Sequence, residues 1–86
     1  MPEVSRFFGI VVAMYYSDHV PPHFHARYGD HEVRVEISSG RLLSGSMPPR
    51  ALRLLGEWLA LHRAELLENW QLAATRKPLR SIAPLE

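Results

Sequence analysis

The stretch His23-Phe24-His25-Ala26-Arg27-Tyr28-Gly29-Asp30-His31-Glu32-Val33-Arg34-Val35-Glu36-Ile37 decides the fold of this chain. Two runs with aromatic and β-branched residues flank Gly29-Asp30, a pair suited to the positive φ of a two-residue hairpin turn. A loop of that length sets the register. Tyr28 opposes His31, Arg27 opposes Glu32, Ala26 opposes Val33, His25 opposes Arg34, Phe24 opposes Val35 and His23 opposes Glu36. Opposed residues share a face, so polarity checks the pairing. One face collects Phe24, Ala26, Tyr28, Val33, Val35 and Ile37; the other collects His23, His25, Arg27, Glu32, Arg34 and Glu36. A ribbon with one dry face and one wet face requires a cover on the dry one.

On the amino-terminal side, Arg6-Phe7-Phe8-Gly9-Ile10-Val11-Val12-Ala13-Met14-Tyr15-Tyr16 reads as one strand. It is apolar on both sides, with Phe7, Val11, Ala13 and Tyr15 pointing one way and Phe8, Ile10, Val12, Met14 and Tyr16 the other. Ser17-Asp18-His19-Val20-Pro21-Pro22 is a stiff connection, because two prolines fix φ and remove two donors. On the carboxyl side, Ser38-Ser39-Gly40 turns the chain into a short strand at 41–46. Ser46 with Pro48-Pro49 reads as a helix start, and Pro78 as its stop. Leu52, Leu55, Leu59, His62, Leu66, Trp70 and Ala73 form one stripe at helical spacing, with Leu54, Trp58 and Leu61 off it.

The expected architecture is α+β: a four-stranded antiparallel meander with one long C-terminal helix packed on one face, all in a single domain over residues 1–86. The strands span about 6–16, 23–28, 31–37 and 41–46, the helix about 48–76, and an extended tail 78–86. A single helix covers a single face. The other apolar side of the first strand, together with Trp58 and Leu61, therefore calls for a second cover: the tail, a second copy in a homodimer, or a different protein.

Composition narrows the function classes. Ten Lys+Arg against nine Asp+Glu exclude bulk positive charge as a means of gripping nucleic acid, though not a local basic patch. With no cysteine there is no disulfide, no thiolate zinc site and no thiol nucleophile. Met1-Pro2-Glu3-Val4-Ser5-Arg6 lacks the features of a signal peptide, and the apolar run after it is about half a membrane span. The expected location is cytoplasmic, with no membrane partner. Five histidines in 86 residues are the compositional oddity.

Three readings of the polar hairpin face follow. In the first, His23 and His25 project together and, with Arg27 and Arg34, offer donors matched to phosphate. Two imidazoles beside a phosphate can act as acid and base in metal-independent RNA cleavage, with Asp18 or Glu36 orienting one of them. In the second, His19, His23 and His25, supplemented by carboxylates, hold zinc or another first-row transition metal; Arg27 and Arg34 oppose this unless a carboxylate or anion intervenes. Outside that reading no cofactor is expected. In the third, the face is a solvated one with cross-strand pairs such as Arg27–Glu32, and the chain is a non-enzymatic interaction module serving a transcriptional regulator. His62 reads as a core histidine, Trp58 and Trp70 as packing anchors, and His31 as a turn residue.

Ser5-Arg6-Phe7-Phe8-Gly9-Ile10, Met14-Tyr15-Tyr16, Asp18-His19 and Pro21-Pro22-His23-Phe24-His25-Ala26 closely resemble the small bacterial family called domain of unknown function 4160. So do Arg50-Ala51-Leu52, Glu57-Trp58, Leu61-His62-Arg63, Glu65-Leu66-Leu67-Glu68-Asn69-Trp70 and the closing Pro78-Leu79, Ile82 and Pro84-Leu85. The resemblance implies no established activity. It implies a two-gene context, with a protein partner resembling domain of unknown function 2442, similar to a toxin–antitoxin module in which this chain is the effector-like half.

Overall fold

The computed structural model describes residues 2–86 and contains β1 (Glu3–Phe7), β2 (Ile10–Ala13), β3 (His23–Tyr28), β4 (His31–Glu36), β5 (Leu42–Gly45) and α1 (Pro49–Ala74). The five strands form one antiparallel meander in the order β1-β2-β3-β4-β5. Gly29-Asp30 closes the β3–β4 hairpin in the register expected from polarity, with His23 opposite Glu36, His25 opposite Arg34 and Tyr28 opposite His31. Gly29 takes the positive φ, 58°, that the tight turn requires. The α+β architecture stands, with five strands in place of four.

The fifth strand comes from the amino-terminal apolar run. It is not one strand but a hairpin turning at Phe8-Gly9, where φ is 48° and 83°. The turn pairs Phe7 with Ile10 and puts both into the core, while Phe8 at the tip is 55% exposed. The expected second apolar face is thereby largely dissolved: Val4, Phe7, Ile10, Val12 and Met14 all join one buried cluster with Phe24, Val33, Val35 and Ile37.

The helix covers that cluster, rotated from the stripe read in the sequence. Its buried residues are Ala51, Leu55, Trp58, Leu59, Leu66, Asn69 and Ala73. Trp58 is the centre of the contact, fully buried and packed on Phe7 and Phe24 with ring centroids 5.4 and 5.8 Å away. Leu61 faces outward, and Leu52, His62 and Trp70 lie half-buried on the flanks. The helix is not capped by Ser46: Pro48 occupies the cap without a side-chain hydrogen bond, and Pro49 stands in the first turn, where a missing N–H costs little. Nor is it uniform. His62, at φ −125° and ψ 21°, interrupts the helical backbone, turning Nδ1 toward Glu65, while Arg63 Nε donates to the Ile37 carbonyl.

The tail supplies much of the second cover. Ile82 N–H donates to the Val4 carbonyl at 2.8 Å, so the tail runs along the outer edge of β1, and Trp58 Nε1 donates to the Ala83 carbonyl. Asn69, fully buried, fastens Arg80 by both of its amide groups. Edge β1 is thus blunted, whereas edge β5 is short and open. Among the described residues no helix is long and apolar enough to cross a membrane.

Candidate functional site

The stiff loop between β2 and β3 returns Asp18 over the start of β3, where His23 and His25 stand two residues apart on one strand. Asp18 Oδ2 lies 3.0 Å from His23 Nε2 and 3.2 Å from His25 Nε2. The two rings are tilted, with centroids 5.2 Å apart, and Tyr15 meets the His25 ring edge-on at 4.5 Å.

His23 is the unusual member. The register puts it on the polar face, yet its side chain is 1% exposed. The part of α1 beyond the interruption at His62 reaches this end of the sheet. There Trp70 covers the His23 ring at 5.3 Å. Inside that cover Nδ1 lies 2.7 Å from the Pro21 carbonyl oxygen, which only accepts, so Nδ1 carries the proton and donates it. Nε2 is buried and, although close to Asp18 Oδ2, off the line that a hydrogen bond requires.

Asp18 is held equally firmly. Its Oδ1 accepts the His19 backbone N–H at 2.9 Å, and its Oδ2 accepts from His25 Nε2. Burial pushes the Asp18 carboxyl up, but the His19 N–H, the His25 hydrogen bond and attraction to the His23 and His25 imidazoles outweigh it. The group is held below the ordinary carboxylate range. A second atom of the cluster, His25 Nδ1, is likewise buried without a hydrogen-bond partner, 3.8 Å from Glu32 Oε2.

The remaining residues of the polar face stand apart from this cluster. His19 contributes its backbone while the residue is exposed. Glu36 is engaged in the adjoining turn by the Ser39 hydroxyl, with Arg41 3.8 Å away. Arg34 Nε donates to Ser44 Oγ on β5. Arg27 is exposed, and the expected Arg27–Glu32 pair does not form, since Glu32 leans toward His25.

A second feature lies on the opposite layer, and sequence reasoning missed it. Between α1 and the β4–β5 turn runs an open groove of about 250 Å3, walled by Val35, Leu42, Leu52, Leu55 and Leu59 and ended by Arg63. Gly56 lies on its helical side, where an added Cβ would meet nothing within 4 Å. Glycine inside a helix costs about 1 kcal/mol relative to alanine. Its position beside apolar walls is the signal that could have pointed here.

No curated protein and no solved structure matches this chain. The family description "Domain of unknown function (DUF4160)" matches residues 9–71, which include β2 to β5, the Asp18–His23–His25 cluster and most of α1. With well over half its length inside that match, the chain belongs to the domain of unknown function 4160 family.

Proposed function

We propose that the chain is a protein-binding domain, the effector-like half of a two-gene unit of toxin–antitoxin type, which holds its companion through the groove beside α1. The companion is the protein resembling domain of unknown function 2442 that the family resemblance implies. The observation that carries the reading is the pairing of Gly56 with Arg63. A trough of about 250 Å3, with aliphatic walls and with Ser39 and Gly40 also lining it, suits one large side chain, the kind of buried anchor on which interfaces depend. Arg63 spends only Nε on the Ile37 carbonyl, and no carboxylate pairs with it among the described residues. The occupant is accordingly an amphipathic segment with an aliphatic or aromatic anchor and a carboxylate one turn away.

Co-expression with the adjacent gene product tests this. Wild-type protein retains the companion, and Gly56→Leu, which fills the trough without disturbing the core, releases it. Retention by a folded Gly56→Leu variant overturns the groove as the docking surface.

A second reading is favoured by Arg27, an exposed guanidinium with no carboxylate partner among the described residues, beside His25 on the open sheet face. A phosphate-bearing ligand such as RNA would meet His25, Arg27 and Arg34 there; His23, under Trp70, is out of its reach. Binding that weakens steeply with salt and is lost in Arg27→Ala supports it, and salt-insensitive binding contradicts it.

A further inference from the structure

We infer that Asp18, His23 and His25 form a binding site for one divalent first-row transition-metal ion, of which zinc is the natural probe. The inference goes beyond the docking reading and does not rest on it.

The Nδ1 proton of His23 is committed to the Pro21 carbonyl, so in the neutral form of the ring the lone pair is at Nε2. That atom is buried, lacks a hydrogen bond and sits 3.0 Å from a carboxylate oxygen. Two lone-pair atoms held that close repel unless a positive species lies between them. Because Nε2 and Oδ2 are out of line for a shared proton, an ion off their axis satisfies both.

The distances agree. With metal–nitrogen and metal–oxygen bonds of about 2.0–2.2 Å, neighbouring ligand atoms stand roughly 2.9–3.5 Å apart. The two observed separations from Asp18 Oδ2, 3.0 and 3.2 Å, fall in that range. The third pair, the two imidazole nitrogens, is within 4.8 Å, so at most about 1.3 Å of closure brings both rings onto one ion.

The outer contacts are those of a prepared site. A backbone carbonyl fixes the tautomer of His23, and a backbone N–H occupies Asp18 Oδ1, leaving Oδ2 as the ligand. His25 needs to carry its ring proton on Nδ1, which lies 3.8 Å from Glu32 Oε2, in place of the Nε2 proton it donates to Asp18. The two arginines that seemed to oppose a cation take no part: Arg34 is bonded to Ser44, and Arg27 is exposed. Three protein ligands leave a further position for water or a ligand oxygen.

The experiment uses untagged full-length protein, stripped with chelator and titrated with Zn2+ by calorimetry, with circular dichroism reporting the fold. One Zn2+ binds per chain. Asp18→Asn and His25→Ala weaken binding by more than about 100-fold, beyond the loss typical of an outer-shell change, while His19→Ala leaves it unaltered. X-ray absorption of the zinc-loaded wild type shows imidazole scattering from two rings, a readout that no variant's folding can obscure. Failure to take up Zn2+ at micromolar free metal, wild-type affinity in Asp18→Asn and His25→Ala, or a metal shell without imidazole overturns the site.

Discussion

Asn69 holds Arg80 at both ends of its amide: Nδ2 donates to the Arg80 carbonyl and Oδ1 accepts the Arg80 N–H, each at 2.9 Å. This clasp fastens the tail to the helix, and Ile82 and Ala83 then meet Val4 and Trp58. Asn69→Ala removes a fully buried side chain and both of its part-buried hydrogen bonds, a loss of about 1–3 kcal/mol. The expected result is a lower urea midpoint at unchanged slope. An unchanged midpoint contradicts the role given to the clasp.

Two glycines respond to alanine in opposite directions. Gly45 has φ 85° at the end of β5, and a Cβ there would collide with the Glu32 carbonyl, so Gly45→Ala destabilises by at least about 1–3 kcal/mol. Gly56 is helical with open space around it, so Gly56→Ala stabilises by about 0.8–1.0 kcal/mol. Thermal unfolding of the two variants should shift to opposite sides of wild type.

In metal-free protein, Asp18 ties stability to pH. Its folded pKa is depressed, so its contribution is fully present above the unfolded carboxylate pKa and is lost as pH falls through the folded value. Asp18→Asn removes that part of the acid dependence. Stability of wild type and Asp18→Asn measured from neutral pH downward should therefore converge in acid. Parallel curves contradict the assignment.

Removing the His23 ring tests the cover that Trp70 gives it. His23→Ala deletes a buried ring packed on Trp70 and a hydrogen bond to Pro21, and is expected to cost about 2–4 kcal/mol, whereas His19→Ala, at an exposed residue, changes stability by less than about 0.5 kcal/mol. Trp70 fluorescence should respond to the first and not to the second.

The β3–β4 hairpin was legible because alternating polarity and a two-residue turn constrain the same register independently. The amino-terminal hairpin was not, because Phe8 and Gly9 sit inside an unbroken apolar run; Gly9 was the only mark of the turn. Within the candidate site, the meeting of Asp18 with the two histidines followed from the stiff Pro21-Pro22 loop. The burial of His23 did not, since it depends on where the helix sets Trp70, a tertiary matter. Trp58, read as lying off the main stripe, stands at the centre of the contact, and Asn69 was not singled out, for a related reason. A helix covering a twisted sheet and a tail buries a wider arc than one stripe.

The most direct measurement on the groove is an NMR footprint of the companion protein on the 15N-labelled chain. The account predicts that the amides of Leu42, Leu52, Gly56, Leu59 and Arg63 shift on binding while those around Asp18 and His25 stay in place. A footprint centred on the open sheet face at His25 and Arg27, with the α1 trough untouched, would contradict it.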